Sequence, residues 1–453
     1  MTASTLPNND LRLRITHKQI LRMALPISFG ILVPQLNFIT NNIFLGRLGE
    51  QALATAAITG VYYLLFGAIG YGLNNGLQAL IARRAGENRP EEIGKLFIHG
   101  LAISLLIAAA GIALTYTLAP WVLRRTIHET AIHEQAIAFM KIRIWGLPFL
   151  YVYQMRNALL VGTNQSKYLV AGTLAEAASN VLLDYGLIFG HFGLPRMGFN
   201  GAAIASIAAE FLGMAVVFAV IHYKGIGKRF SLFSHLRYDA PTARLIVAQS
   251  SPLVFQNAIS ILSWELFYLL IEHHGERDLS ISNAMRNLFG LFGMFSWALA
   301  ATCNTMVSNI IGQGKREQVL LLIRKIVGIS TGIALVICVL LNIFPHAFLS
   351  VYGQTDSWVE HAIPVLRVVT VGLLMMSFAT VWINGVTGTG NSAVNLLIEA
   401  VTLVAYCVYV WVALEVMDCS VAVGWISEWV YWAFIFSQSY FYLKSGRWKN
   451  KVI

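Results

Sequence analysis

Stretches of mainly apolar residues alternate with short polar turns along the whole chain. Twelve can be bounded, at 20–45, 57–83, 96–120, 138–161, 167–190, 200–223, 245–271, 284–312, 320–344, 362–386, 393–416 and 421–443. The hydrocarbon core of a bilayer is crossed by about 20 apolar residues in helical form, so each stretch is of spanning length. Backbone N–H and C=O groups inside lipid must be satisfied within the segment itself, which makes the spans helices. The pattern predicts an all-α polytopic membrane protein with twelve transmembrane helices.

Composition points the same way. Of 453 residues, 57% are hydrophobic and 12% charged, and the mean hydropathy is +0.64. An ordinary soluble domain carries about twice that share of charge. The opening stretch MTASTLPNNDLRLRITHKQ is polar and the first apolar run is of full span length, so no cleavable signal peptide is expected. Cys303, Cys338, Cys407 and Cys419 are scattered, three of them inside spans. That distribution suits small buried side chains rather than a disulfide framework or a zinc site.

The formal net charge is +10, and its placement decides what it means. With the N-terminus inside, Arg12, Arg14, Lys18 and Arg22 lie ahead of the first span or in its first turn, and Arg83, Arg84, Arg89 and Lys95 at the end of the second or between it and the third. The central connection, the turn around Lys315 and Arg316, and the C-terminal stretch fall on the same face. The opposite loops carry Arg47, Arg124, Arg125, Arg196 and Arg277. This asymmetry is that of a multi-pass protein with both termini in the cytoplasm; the partner of the charge is the lipid bilayer, not nucleic acid.

Two groups of six spans meet at GIGKRFSLFSHLRYDAPTAR, near the midpoint. ARRAGENRPEEI at 82–93 and NIIGQGKREQV at 309–319 align Gly86 with Gly312 and Glu91 with Glu317. GTNQS at 162–166 and GTGNS at 388–392 share that offset (312 − 86 = 388 − 162 = 226). Six is an even number, so the halves have the same orientation and are parallel repeats about an axis along the membrane normal. The chain divides into a cytoplasmic N-terminal segment (1–19), an N-lobe (20–223), a cytoplasmic linker (224–244), a C-lobe (245–443) and a cytoplasmic tail (444–453). Two six-helix bundles facing each other across a central cavity suit alternating access by rocking.

Candidate chemistry lies in the polar residues inside the spans. In LAEAASNVLLDYGLIFG, Glu176, Asn180 and Asp184 recur at i, i+4 and i+8, on one face of one helix. A carboxylate at mid-bilayer costs roughly 2.5–3.5 kcal/mol on insertion scales, so this face is expected to turn to the bundle interior or a water-filled cavity. Asn37 and Asn41 share a face of the first helix, and Tyr71, Asn74, Asn75 and Gln78 run along the second. In the second half, Asn257 and Glu265 share a face at i, i+8, while Glu399 and Glu428 interrupt the last two spans. Glu210, Glu272, Glu415 and Asp418 are placed nearer span ends, where water reaches them. Trp264, Tyr268, Trp297 and Trp382 are aromatic candidates to hold a lipophilic cation through cation–π attraction, and Trp448 in SGRWKNK reads as an interfacial anchor. His273 and His274 lack metal-ligand spacing, and HExxH, CxxC and P-loop motifs are absent from the sequence.

Several of these segments resemble a known family. PQLNFITNNIFLGRLGEQALA (34–54) is similar to the first helix and loop of the multidrug and toxic compound extrusion (MATE) family. NQSKYLVAGTLAEAASNVLLDYGLIFGHFGLPRMGFNGAAIAS (164–206) resembles its most diagnostic region, and SNIIGQGKREQ and NGVTGTGNS resemble the matching second-half turns. The resemblance runs from about residue 20 to 445. It implies a V-shaped, twelve-helix exporter in two pseudo-symmetric bundles that expels organic cations against a proton or sodium gradient. Carried over by position, Asn180 and Asp184 match the N-lobe coupling site, with Glu176 and Asn41 beside it, and Glu265 in LSWELF matches an acidic position of the seventh helix, so the resemblance implies that coupling falls on Asp184, helped by Glu176, and on Glu265. Asn41 stands where bacterial members usually have Asp, and Ser377 where sodium-driven members have an acid.

These readings converge on a secondary antiporter rather than an enzyme, needing no cofactor beyond H+ or Na+ as coupling ion. Its partner is a small, cationic, amphipathic substrate, and a monomer is expected. Asn37, Tyr71, Asn74, Gln78, Asn257, Trp264, Tyr268 and Trp382 are the candidates to contact that substrate. A proton and a cation would compete for one buried negative charge; sodium is the alternative, since Asn180, Asp184 and backbone carbonyls offer the oxygens a hard cation takes. An exporter of an endogenous metabolite or of a lipid-linked sugar could use the same fold, the latter with Lys141, Arg143, Arg156 and Arg367 as candidates for a pyrophosphate. An intramembrane enzyme would need an acid–base or metal constellation at one depth, and a sensor an output domain.

Overall fold

A computed structural model of the chain describes residues 10–126, 130–234 and 237–451. Every regular element among them is helical. The N-lobe is built from α1 (His17–Gly46), α2 (Glu50–Gly86), α3 (Pro90–Thr117), a bent α4 (Thr130–Arg143 and Leu147–Gly162), α5 (Leu169–Phe189) and α6 (Phe199–Tyr223). The C-lobe repeats this with α7 (Ala240–Glu272), α8 (Glu276–Gly312), α9 (Val319–Ile343), α10 (Asp356–Thr389), α11 (Ser392–Trp411) and α12 (Ser427–Ser445). Among the described residues, eight helical spans are long and apolar enough to cross a membrane by length and hydropathy. The protein is a multi-pass membrane protein.

Local chemistry sets the breaks. α1 starts where the Thr16 hydroxyl accepts from the Gln19 amide at 3.2 Å, and α7 where the Asp239 carboxylate accepts from that of Thr242 at 3.0 Å, each satisfying an otherwise orphaned donor. α4 is interrupted by a 3₁₀ turn at Ile144–Gly146 just before Pro148, which has no N–H to give the Ile144 carbonyl. The last span differs from the continuous helix expected over 421–443. A single turn, Val421–Gly424, precedes α12, and between them Trp425 is sealed in the core with its indole N–H on Ser282 Oγ at 3.1 Å. Trp448 also departs from expectation: it is buried rather than interfacial, and its indole donates to the Leu443 carbonyl at 2.8 Å. All four cysteines are free.

The lobes exchange the ends of their first helices. Ile20 of α1 is buried in the C-lobe core with Cys303, Met306 and Ile323. Ile246 of α7, its counterpart 226 residues on (246 − 20), is buried in the N-lobe core with Leu77, Phe97 and Leu159. The face carrying the basic loops is closed by α2 against α8. Gly86 lies against the Asn309 carbonyl and Gly312 against the Arg83 carbonyl, each so close that a Cβ would overlap backbone. Arg83 reaches across to the carbonyls of Ser308, Gly388 and Thr389. Beneath this seam the extended segment ahead of α1 is strapped to α8: Asn309 accepts from the Leu13 amide at 2.9 Å and donates to the Leu11 carbonyl at 3.1 Å.

Candidate functional site

Above the closed seam lies a cavity of about 390 Å³, within the range of small-molecule sites. Ile31, Tyr71 and Asn75 of α1 and α2 form its N-lobe wall. The remaining wall is C-lobe and includes Asn257, Ser260, Trp297, Asn384, Glu399 and Tyr431. Its mixture of amides, aromatic rings and one carboxylate can bind an amphipathic molecule.

Of the residues expected to meet substrate or hold its cation, Tyr71, Asn257 and Trp297 line this cavity. The others do not belong to its wall. Gln78 is spent on the lobe seam, its amide donating to the Ala301 carbonyl at 2.9 Å and to Thr305 Oγ1 at 2.8 Å. Asn74 is buried on α2, and Asn37 is half-buried on α1. Trp382 is buried in the C-lobe core, its ring 5.1 Å from Tyr440. Trp264 and Tyr268 already hold a cation of the chain itself. The Arg286 guanidinium lies 5.0 and 5.1 Å from their ring centroids, and it sits 3.7 Å from Glu265. Glu265 is therefore a neutralised, one-third-exposed acid, two helical turns beyond Asn257 on α7, roughly 12 Å by helical rise. Ser377, in place of a family acid, is buried with its hydroxyl on the Leu374 carbonyl at 2.7 Å.

The N-lobe stripe lies inward. Asn180 and Asp184 are buried on α5, and Asn180 donates to Ser206 Oγ of α6 at 3.5 Å. Asp184 is 1% exposed and its Oδ1 has no hydrogen-bond partner. On α1, which packs on α5, the buried Asn41 Oδ1 is likewise without one. Glu176 sits against Gly213, in electrostatic reach of Arg156, Arg143 and Glu210.

Sequence reasoning missed two parts of this interior. Glu210, assigned to a wet span end, is largely buried in a two-pronged ion pair with Arg143 at 2.5 and 3.0 Å. Gly146, in the break of α4, leaves the space that this pair fills. Arg156, a candidate for a pyrophosphate in the lipid-linked-sugar reading, is fully buried, stacked 4.2 Å over the Tyr153 ring with one N–H on the Gly213 carbonyl. The signal for the pair was present, since residue 210 is central to the 200–223 span. In the C-lobe, Glu428 accepts from the indoles of Trp264 (3.2 Å) and Trp432 (2.9 Å), and Glu399 meets the cavity.

Comparison with known proteins places this architecture. The MatE family model matches residues 26–186 and again 252–412, the two matches displaced by the 226 residues of the internal repeat (252 − 26 and 412 − 186). A probable multidrug resistance protein NorM of Thermotoga maritima is 21% identical over 96% of this chain and 94% of its own length. One of Synechocystis is 24% identical over 49% of this chain and 48% of its own. In three dimensions, a multidrug resistance MATE family transporter of the MOP superfamily, solved in an outward-facing conformation, superposes with a TM-score of 0.87 at 17% identity. That superposition covers 99% of this chain and 100% of the solved one. A MOP superfamily transporter of Pyrococcus furiosus, described as having a binding pocket of reversed polarity, gives 0.85 at 17% identity over 99% and 100%. The solved structures share the fold, and the double family match, in register with the repeat and covering most of both lobes, makes this chain a member of the MatE family.

Proposed function

We propose that this protein is a secondary active antiporter that exports small organic cations in exchange for protons or sodium by alternating access. The observation that carries the reading is the cavity walled by both lobes, above a seam that closes the basic face. Relatives named as multidrug resistance proteins support the cargo class. The wall contains no Lys, Arg or His among the described residues, which favours a cation over a lipid-linked pyrophosphate. No catalytic step is invoked.

Coupling is assigned to the α5 stripe. Asp184 has an oxygen free to take a proton, and with Asn180 and the unpartnered Asn41 carbonyl it offers the all-oxygen set that a sodium ion takes. Glu176, on the same face, adjusts the local charge. In this scheme a neutralised Asp184 favours the state that releases substrate and a charged one the state that captures it. The protein acts as a monomer in a bacterial inner membrane, with both termini cytoplasmic.

The test is drug susceptibility of an efflux-deficient bacterium across a panel of lipophilic cations, with native protein and Asp184→Asn at matched expression. Protection by the native protein that disappears in Asp184→Asn supports the scheme. Equal protection removes Asp184 from coupling, and no protection against any cation moves the cargo to an endogenous solute.

A further inference from the structure

Glu399 is 1% exposed on α11 and is the one residue with a formal charge among the described residues of the cavity wall. Its Oε1 accepts from the Tyr431 hydroxyl at 2.6 Å and from the Ser260 hydroxyl, and its Oε2 from the Gln256 amide at 3.2 Å. These three donors come from two helices and are all neutral, so they fix the carboxylate in place without cancelling its charge. Two other buried or half-buried acids of the C-lobe, Glu428 and Glu265, are used differently. Glu428 is capped by two indoles, and Glu265 has Arg286 as its counter-charge. Around Glu399 the wall supplies the rings of Tyr71, Trp297, Tyr431 and Trp432, and aromatic faces attract cations.

We propose that Glu399 is the counter-ion for substrate, and that the C-lobe part of the cavity takes an aromatic or aliphatic cation of single positive charge. One fixed negative charge in a wall free of basic side chains selects a monovalent cation. A dication would leave one charge without a partner in a poorly hydrated site. The volume of about 390 Å³ sets the size class, that of a small amphipathic molecule. Asn257, next to Gln256 on α7 and also in the wall, is the position at which a substitute charge can be tested. The inference rests on the cation-exporter reading for its cargo class but is independent of the coupling role given to Asp184.

The experiment is direct binding of ethidium, a monovalent aromatic cation, to the full chain purified in detergent, read by fluorescence anisotropy. Glu399→Gln is expected to weaken binding about tenfold or more, with Glu360→Gln, which removes an exposed surface acid, within roughly twofold of native. Moving the charge by Asn257→Asp in the Glu399→Gln background is expected to recover most of the loss, which a purely structural role for Glu399 would not produce. Should Glu399→Gln aggregate, Tyr431→Phe and Ser260→Ala keep the carboxylate but release its anchors, and each is expected to weaken binding by roughly two- to fivefold. Native binding that Glu399→Gln, or both anchor variants, leave unchanged overturns this inference alone. Absence of native binding to ethidium and to other monovalent cations overturns it together with the cation-exporter reading.

Discussion

Gln78 and Asn304 make the same contact in opposite directions. Gln78 donates its side-chain amide to the carbonyl of Ala301, three residues before Asn304, at 2.9 Å; Asn304 donates to the carbonyl of Asn75, three residues before Gln78, at 3.2 Å. The two positions are separated by the repeat offset (304 − 78 = 226). Arg83 and Asn309 form a second such couple, the first donating to the Ser308 carbonyl and the second to that of Ala82. The axis implied by a sequence repeat is therefore visible as reciprocal hydrogen bonds, and they lie in the seam that must part if the lobes rock.

Removing one of these amides is expected to cost about 1 kcal/mol of seam stability, the net worth of a typical buried hydrogen bond. Gln78→Ala and Asn304→Ala should each raise the population open at the basic face, and the double variant should raise it further. Spin labels at Glu91 and Gln318 would report this as a longer distance component. An unchanged distance distribution in the double variant would remove the amides from the gate.

The glycines of the seam make a steric prediction. A methyl group at Gly86 would overlap the Asn309 carbonyl and one at Gly312 the Arg83 carbonyl, whereas a methyl at Gly60 would meet nothing within 4 Å. Backbone cannot yield as a flexible side chain can, and overpacking costs about 1–3 kcal/mol. Gly86→Ala and Gly312→Ala should open the seam and reduce transport, with Gly60→Ala at native level in the same assay.

The Arg143–Glu210 pair predicts a non-additive stability effect. Both side chains are largely buried, 14% and 11% exposed, so removing one partner strands the other's charge at a cost of about 3–5 kcal/mol. Glu210→Gln should lower the thermal unfolding midpoint clearly. Arg143→Leu with Glu210→Leu should be less damaging than Glu210→Gln alone, and plain additivity would refute the pairing.

At the basic face, Asp239 caps α7 and anchors the interlobe linker to α3. The Thr242 hydroxyl donates to its carboxylate, Lys95 approaches to 3.0 Å, and the Thr242 amide adds a third hydrogen bond. These donors hold its pKa at about 2, below the ordinary value near 3.9. A depressed folded-state pKa contributes stability that is present above pH about 4 and lost as the pH falls towards 2. Hydrogen exchange in the first turn of α7, corrected for its intrinsic pH dependence, should show constant protection from pH 8 to 5. Asp239→Asn should weaken protection there at neutral pH.

The legible part of the candidate site was the part written in a helix period. Glu176, Asn180 and Asp184 share a face by spacing alone, and the bilayer's penalty on charge turns that face inward. Asn257 and Glu265 share a face by the same rule, yet eight residues along a helix is roughly 12 Å of depth. Asn257 reaches the cavity while Glu265 meets Arg286. The aromatic pair Trp264 and Tyr268, expected to hold a lipophilic substrate cation, instead lies against a cation of the chain itself, Arg286. Glu399 and Glu428 look alike in sequence, each a lone acid in an apolar span. Indoles cap one, and the other faces the cavity, because their neighbours come from different helices.

The sequence alone determined the solvent, the all-helical spans, the offset of 226 residues and the inward stripe of α5, because hydrophobicity, periodicity and duplication are properties of one chain read in order. Only the tertiary structure decided which polar groups meet one another. It turned Gln78 into a lobe latch, Glu210 into an ion-pair partner and Glu399 into the cavity's single charge. A helix period fixes which residues share a face. The neighbouring helix opposite that face is chosen by packing between segments far apart in sequence, and that pairing decides whether a buried charge is neutralised or left to meet a ligand.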